Sequence, residues 1–322
     1  ISGVLFELAA NGLKLYLNIP QKEVHPGQLV TVCIKAVNRH VIFLGKQQFQ
    51  IGVVYLNTPG NEKEMLQCDG VTEKVQQTMA EFSPKHCGIA QIDIEKVFLQ
   101  DYLGLIGTQK NFRGSCQLAV LPEPVLSTRI RTGMEKQQEY RYSAVADDDS
   151  DILDLRAFRP GDNLNHIHWN LSLRTDDLIV RQYGEQIDVK KVILVDLSIL
   201  NTAQYRSRMD AVYTAVASIA NLYVENEVNT LILAWNGQKQ SAEYLEVHDR
   251  TELNRAMIRL MQIPCSSRAG EHAAAVYLKD IEAQGQQALF VTAGSYENNK
   301  VRIVNVEKIQ LQELIDELWE KI

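Results

Sequence analysis

Apolar and polar residues alternate along the N-terminal part of the chain, from residue 13 to about residue 124. The first alternation runs from Leu13 to Ile19, and the same period of two returns from Val30 to Ala36, after a Pro26-Gly27 turn. The same reasoning predicts further strands over residues 49–57, 73–82, 88–99 and 115–121. Period-two segments with turn residues between them predict an N-terminal all-β, immunoglobulin-like sandwich.

The pattern changes beyond residue 187, where continuous apolar runs alternate with helical periodicity. Residues 189–195 form a nearly continuous apolar run, which is typical of a parallel strand buried on both faces. Apolar residues then recur every three or four positions between Met209 and Tyr223, which predicts one face of a helix. Alternating segments complete the pattern: strands at 230–235, 288–292 and 301–306, and helices near 251–262, 271–284 and 308–321. The order predicts a Rossmann-like α/β domain with a parallel sheet.

The two patterns are separated by a polar segment, residues 125–150, which leads into an acidic run at 147–151. We interpret this segment as a solvated linker, since cation-binding loops usually interleave spacers and a glycine between their carboxylates. The predicted organisation is therefore a sandwich domain over residues 13–124, a linker over 125–150, and the α/β domain with its preceding segment over 151–322.

Composition narrows the functional classes. The 322 residues have a formal net charge of −7, which argues against a nucleic-acid partner, because such proteins need a basic surface. The five cysteines are scattered without a paired spacing, so neither structural zinc nor a disulfide framework is expected. No stretch approaches the roughly 20 apolar residues that span a membrane, so the chain is expected to be soluble as it stands.

The first candidate for chemistry is Asp196-Leu197-Ser198, directly after the first predicted parallel strand. Ligands of open α/β sheets bind outside the carboxyl ends of the strands, so Asp196 is well placed to act. Three roles stay open from these residues: a divalent-cation ligand with Ser198, a nucleophile, or a structural residue that caps the following helix or accepts hydrogen bonds from loop N–H groups.

The second candidate lies between residues 156 and 181. Pro160-Gly161 suits a type II turn, and four arginines surround Trp169 in the sequence, a mixture that can bind an anion or stack on a ring. The arginines are Arg156, Arg159, Arg174 and Arg181. His166 and His168 have a spacing compatible with metal binding, but no third ligand is evident, so we interpret them as surface or hydrogen-bonded residues.

These residues also carry a family resemblance. The stretch from Asp154 to Gln186 resembles the signature of the domain of unknown function family fifty-eight. The matching positions are Arg156, Phe158, Pro160-Gly161-Asp162, Ile167-His168-Trp169, Ser172-Leu173-Arg174 and Leu178-Ile179-Val180-Arg181. Two upstream segments, residues 85–88 and 101–105, also resemble the β-domain of that family. Asn165 and His168 depart from it, since the family usually has an Arg and an Asp there.

The resemblance implies a location and partners. Members usually have two membrane helices before the β-domain and hold the soluble part in the cytoplasm. Residues 1–12 are accordingly expected to be the remnant that follows a membrane anchor, which places the full-length protein at the cytoplasmic face of the membrane. Members also resemble partners of MoxR-type AAA+ ATPases, and their α/β domain resembles the von Willebrand factor A domain with its metal-ion-dependent adhesion site.

The adhesion motif is degenerate in this chain. The motif reads Asp-x-Ser-x-Ser, and Leu200 stands at its last position, where it offers no oxygen. Arg268 occupies the loop that would supply a threonine, and residues 292–294 lack the expected Asp. We therefore expect either no cofactor or a weakly bound Mg²⁺ held by Asp196 and Ser198.

The expected function is a non-catalytic protein-interaction module, not an enzyme, whose partners are a MoxR-type AAA+ ATPase and its client protein. Recognition would use the carboxyl edge of the sheet and the segment 156–174, with Trp235 as a further anchor. The partner-binding candidates are Arg156, Asp162, Trp169, Arg174 and Arg181. Two alternatives stay open: a metal-dependent hydrolase that uses Asp196, and an envelope-protein binder that adds a strand to the sandwich.

Overall fold

The chain forms two compact units, one of Ile1–Arg129 with Lys191–Ile322 and one of Ile130–Lys190. The finer division at residues 124 and 150 stays a prediction. The computed structural model describes residues 2–38, 44–56, 63–71, 75–112, 114–127, 141–143, 152–159, 167, 169, 171–172, 178–183, 185–187, 191–198, 204–266, 268–280, 288–294, 296 and 301–321.

The described residues of the N-terminal half of the first unit form one helix and nine strands. They are α1 (Ser2–Asn11), β1 (Leu13–Asn18), β2 (Glu23–Val24), β3 (Val30–Asn38), β4 (Leu44–Tyr55), β5 (Lys63–Val71), β6 (Val75–Phe82), β7 (Gly88–Asp101), β8 (Gly107–Lys110) and β9 (Ser115–Val120). One sheet has the order β1-β3-β6, and the other has the order β2-β9-β7-β4-β5 with β8 also paired to β7.

The two sheets share one apolar core, as the period-two pattern predicts. Alternate residues of β3, such as Val32 and Ile34, are buried in the same cluster as alternate residues of β4, such as Phe49 and Ile51. Successive side chains of a strand point to opposite faces, so each sheet buries one face against the other. The predicted β-sandwich is confirmed.

Helix α1 is a feature that the sequence pattern did not predict. Phe6, Ala9 and Ala10 are buried in the sandwich core, while Val4 and Leu8 are exposed. The helix therefore has one face on the sandwich and one apolar face turned outward. Its single carboxylate, on Glu7, lies 3.8 Å from the Lys110 ammonium of β8.

In the second unit, the part of the chain that the structure describes includes four short strands in two antiparallel pairs. They are β10 (Arg141–Ser143), β11 (Ile152–Ala157), β12 (Ile179–Tyr183) and β13 (Glu185–Ile187), with β10 paired to β13 and β11 to β12. Ile167 forms a bridge to Val180, and both side chains are buried. The Ser172 hydroxyl accepts a hydrogen bond of 2.9 Å from the backbone N–H of Ile179, which ties the segment to the start of β12.

The C-terminal half of the first unit is a five-stranded sheet between helices. Its elements are β14 (Lys191–Val195), α2 (Tyr205–Glu225), β15 (Thr230–Asn236), β16 (Ser241–Val247), α3 (Arg250–Gln262), α4 (Ala269–Asp280), β17 (Ala288–Thr292), β18 (Arg302–Asn305) and α5 (Leu311–Glu320). The strand order is β16-β15-β14-β17-β18. All neighbouring pairs are parallel except β15 with β16.

Both faces of this sheet are covered. Ile193 and Val195 pack in one cluster with α2, α3 and α5, whereas Val192 and Leu194 pack in another with Ala273 and its neighbours on α4. Burial on both faces explains why β14 reads as a continuous apolar run. Among the described helices, none is both long enough and apolar enough to cross a bilayer.

A polar joint connects the sandwich to the α/β half within the first unit. Both oxygens of the Asp210 carboxylate on α2 are engaged: Oδ1 accepts a 2.8 Å hydrogen bond from the Cys87 backbone N–H, and Oδ2 lies 2.7 Å from His86 Nδ1. Arg206 lies over the ring of Tyr55, with its guanidinium carbon 5.4 Å from the ring centroid. The joint therefore lies where β4 ends and β7 begins.

Candidate functional site

The candidate site lies at the carboxyl edge of the five-stranded sheet. Asp196 directly follows β14, and Thr292 ends β17, the neighbouring parallel strand. The sheet order reverses between these two strands, because the chain proceeds from β14 to β15 on one side and from β17 to β18 on the other. Ligands of open α/β sheets bind in the crevice at such a reversal. The sequence-based placement of Asp196 at this edge agrees with the structure.

The half-buried Asp196 carboxylate is held by two hydrogen bonds. Oδ1 accepts from the backbone N–H of Ser198 at 3.0 Å, and Oδ2 accepts from the Thr292 hydroxyl at 2.6 Å. The Thr292 oxygen in turn accepts from the backbone N–H of Gly294 at 2.9 Å. The carboxylate therefore joins the loops that follow two neighbouring strands.

The start of α4 closes over this carboxylate. The Ser198 hydroxyl accepts a hydrogen bond of 3.1 Å from the backbone N–H of Gly270, in the first turn of the helix. A Cβ atom on Gly270 would lie 2.6 Å from the Asp196 carboxyl carbon, so only glycine permits this close approach. The positive end of the helix dipole thus faces a negative charge, which is a favourable arrangement.

Ser266 and Gly237 close the other side of the site. Ser266 forms a parallel bridge with Ser198, and its backbone N–H donates to the Leu197 carbonyl at 3.3 Å. The Ser266 hydroxyl is buried and has no hydrogen-bond partner among the described residues. A Cβ atom on Gly237 would overlap this hydroxyl, so glycine is again required by space.

An aromatic pair lies beside the polar cluster. The half-buried Trp235, near the end of β15, stacks on the exposed imidazole of His272 on α4, with ring centroids 4.9 Å apart and an interplanar angle of 28°. The sequence singled out Trp235 as an anchor but gave no signal for His272, since the stack joins a strand to a helix 37 positions later in the chain.

The oxygen atoms of this cluster are a poor fit for Mg²⁺. Mg²⁺ requires near-octahedral oxygen ligation, whereas the cluster offers one carboxylate and the hydroxyls of Ser198, Ser266 and Thr292. Both carboxylate oxygens already accept protein hydrogen bonds, and Gly270 packs directly against them. Within the described part of the chain, no group of three or more His, Cys, Asp or Glu side chains is arranged to hold a metal ion.

The predicted partner-binding residues belong to the second unit. Arg156 on β11 and Arg181 on β12 are one register position apart, because Arg156 pairs with Val180 and Leu155 pairs with Arg181. Trp169 is 58% exposed, and its backbone N–H donates to the Ile167 carbonyl at 3.1 Å. Asp162 and Arg174 lie outside the described residues, as do His166 and His168.

All five cysteines are free thiols. Burial raises the pKa of the Cys87 thiol to about 12, and the nearby Asp210 carboxylate adds to the shift. Burial likewise raises the pKa of Cys68 and Cys116 to about 11. The thiolate is the reactive form, so these three groups remain poor nucleophiles at neutral pH.

A family model described as "Protein of unknown function DUF58" matches residues 154–300. This match supports the DUF58 family for the chain, and it includes both the 156–181 segment and the Asp196 cluster. No protein of curated function matches.

Three of the solved structures to which the chain is similar each match about a third of it. The CARDB domain of a Pyrococcus furiosus protein, in complex with di-metal ions, is 10% identical with a TM-score of 0.23, over 34% of this chain and 87% of that one. A cohesin module of a Clostridium perfringens family 33 glycoside hydrolase is 8% identical with a TM-score of 0.25, over 34% and 96%. A type II cohesin domain from Acetivibrio cellulolyticus is 10% identical with a TM-score of 0.24, over 34% and 94%.

Proposed function

We propose that the protein is a non-catalytic interaction module at the cytoplasmic face of the membrane, which binds a MoxR-type AAA+ ATPase and its client protein. The family resemblance is the source of the partner class and of the location. The α/β half is proposed to be a von Willebrand factor A-like domain. Numbered within this half, the strand order 3-2-1-4-5 is that of a doubly wound sheet, which supports the proposal.

The observation that carries this proposal is the exposure of Trp169. A tryptophan that is 58% exposed leaves a large apolar surface in water, and tryptophan is enriched among the residues that dominate binding energies at protein interfaces. It lies inside the segment that matches the family model. We propose that Trp169 is the main anchor for the partner and that Arg156 and Arg181 contribute charge around it.

The Asp196 cluster supports a positioning role for that carboxylate. Its two oxygens accept hydrogen bonds from Ser198 and Thr292, which are the bonds expected of a group that holds loops in place. In this proposal the cluster keeps the carboxyl edge of the sheet rigid, and the Trp235–His272 pair beside it offers a second contact surface.

We expect Trp169→Ala to reduce capture of a MoxR-type ATPase at least about fivefold, because loss of an interface anchor typically costs more than 1 kcal/mol. Purified chain on a resin would be incubated with the ATPase in the presence of Mg²⁺ and ATP, ADP or no nucleotide. Tyr244→Ala is the matched control, since Tyr244 is another exposed aromatic side chain, on the edge strand β16. Failure to capture the ATPase in every nucleotide state, or equal capture by both variants, would contradict the proposal.

We expect millimolar Mg²⁺ to leave the melting temperature unchanged within about 1 °C, because the cluster does not supply a Mg²⁺ ligand set. Differential scanning fluorimetry with and without EDTA measures this directly. A rise of more than about 2 °C that Asp196→Asn abolishes would show that a cation binds beside the carboxylate.

A further inference from the structure

Two exposed apolar segments, helix α1 and the loop between β7 and β8, lie at one end of the sandwich. Leu13 at the start of β1 pairs with Asn38 at the end of β3, and Leu44 at the start of β4 pairs with Asp101 at the end of β7. Helix α1, which leads into β1, and the loop between β7 and β8 therefore lie at the same end of the sandwich. The polar joint to the α/β half lies at the opposite end, where β4 ends and β7 begins.

The loop between β7 and β8 (residues 102–106, called the tip loop) is uncharged and apolar. Tyr102, Leu103 and Leu105 are 79%, 70% and 79% exposed. Four large apolar side chains in five residues are unusual for a loop in water, where apolar surface is normally buried or scattered. Helix α1 adds the exposed side chains of Val4, Leu5 and Leu8 at the same end.

Several backbone groups of the tip loop are hydrogen-bonded to Asp101. The buried Asp101 carboxylate accepts hydrogen bonds from the backbone N–H groups of Leu105 and Ile106, at 2.7 and 2.9 Å. The Asp101 carbonyl accepts from Gly104 N–H, and the Ile106 carbonyl accepts from Asp101 N–H. Gly104 has a φ of 69°, the left-handed conformation that lets the loop close on itself. Three of the five backbone N–H groups of the loop, those of Gly104, Leu105 and Ile106, are thereby satisfied within the protein, which lowers the cost of moving the loop into an apolar medium.

We propose that this end of the sandwich inserts its tip loop and the outer face of α1 into the surface of a lipid bilayer. One apolar segment is a loop and the other is a helix face, and a fluid apolar layer accepts both without a matched pocket. The one carboxylate of α1, on Glu7, is paired with Lys110, and Asp101 is engaged by backbone N–H groups. Tyr102 adds an aromatic ring with a polar hydroxyl, and tyrosine side chains of this kind are enriched at the membrane–water interface.

Membrane binding is expected to come from the insertion of apolar side chains and not from electrostatic attraction to the headgroups. The chain has a net charge of −7, so anionic headgroups would repel it. Binding should therefore be at least as strong to phosphatidylcholine vesicles as to vesicles that also contain phosphatidylglycerol, and raising the salt concentration should not release the protein. The inference rests on the membrane location proposed above and is independent of the ATPase.

The test is sedimentation of the whole chain with sucrose-loaded phosphatidylcholine vesicles. We expect the wild type to bind. The double variant Leu103→Gln, Leu105→Gln should bind at least about tenfold more weakly, because two inserted leucines are lost. Leu29→Gln is the matched control: Leu29 is 59% exposed and precedes β3, at the opposite end of the same sandwich. A Tyr102→Trp variant adds a fourth indole to Trp169, Trp235 and Trp319, and the difference between its emission and that of the wild type should shift to shorter wavelength on binding and be quenched by brominated lipid.

Several outcomes would overturn the proposal. They are no binding of the wild type, equal binding of the double variant and the wild type, or an indole emission in the Tyr102→Trp variant that lipid does not alter. Self-association of the wild type in sedimentation velocity, lost in the double variant and without vesicle binding, would assign the tip loop to contacts between copies of the chain instead. ATPase capture is measured without lipid, so a failure to bind vesicles is distinct from a failure of the proposed partnership.

Discussion

Replacing Asp210 by alanine is expected to lower the free energy of unfolding by about 2–3 kcal/mol. The carboxylate accepts a hydrogen bond from the buried Cys87 N–H and contacts His86, so its removal leaves a buried donor without a partner. Asp210→Asn should lose about half as much, because the amide oxygen can still accept from Cys87. Urea unfolding measures both variants against the wild type.

Two probes show where the Asp210 variants act. No tryptophan lies in the sandwich, whereas Trp235 and Trp319 lie in the α/β half and Trp169 lies in the second unit, so tryptophan fluorescence does not report on the sandwich, while far-UV circular dichroism follows the secondary structure of the whole chain. If Asp210 joins the two halves, the transitions seen by the two probes should separate in Asp210→Ala. Glu313→Ala, an exposed change on α5, is the control and should cost no more than about 0.5 kcal/mol. A similar loss in Asp210→Ala would mean that apolar packing alone holds the joint.

The central strands of both halves could be predicted because their burial leaves a direct trace in the sequence. Strand β14 is buried on both faces and reads as a continuous apolar run, while β3 alternates because it faces the core on one side. Strand β16 was not predicted. It lies at the edge of the sheet and carries Glu243 and Glu246, so its pattern is mostly polar.

Helix α1 shows the limit of local patterns. Ten residues with a short apolar run do not distinguish a helix from a strand, and the run was interpreted as a remnant. Its helical form depends on Phe6, Ala9 and Ala10, which pack on the sandwich, together with the ion pair between Glu7 and Lys110. The ion pair joins residues about a hundred positions apart in the chain, and no local rule predicts it.

The candidate site was predictable in position but not in detail. Asp196 follows a buried parallel strand, and the rule for open sheets places such a residue at the ligand-binding edge. The carboxylate's partners come from distant segments: Thr292 lies 96 positions away, and Gly270 packs against it from the start of α4. The joint is similar, since Asp210 and His86 are 124 positions apart. Contacts of this kind depend on the fold, and the residues that make them are too far apart in the sequence to form a recognisable motif.

Replacing Gly45 by alanine is expected to lower the free energy of unfolding by about 3 kcal/mol. A Cβ atom at this position would overlap the Asp101 carbonyl oxygen and lie 3.0 Å from its carbonyl carbon. These are backbone atoms of the paired strand β7, so relief requires the two strands to separate near the bulge between Leu44 and Gln47. Since Asp101 also holds the tip loop, vesicle binding should weaken together with stability. Urea unfolding and vesicle sedimentation measure the two effects.

Gly107→Ala is the matched control, because Gly107 lies at the other end of the tip loop, where β8 begins. The nearest atoms to a Cβ there are the Leu99 carbonyl oxygen at 3.6 Å and the Gln100 Cγ at 3.9 Å, which are ordinary contacts. We expect this variant to stay within about 0.5 kcal/mol of the wild type and to bind vesicles normally. Equal losses in the two variants would show that flexibility, and not the close approach of β4 to β7, is what this end of the sandwich requires. A large loss of stability and of vesicle binding in Gly45→Ala alone would show that the tip loop keeps its shape because residue 45 on the neighbouring strand has no side chain.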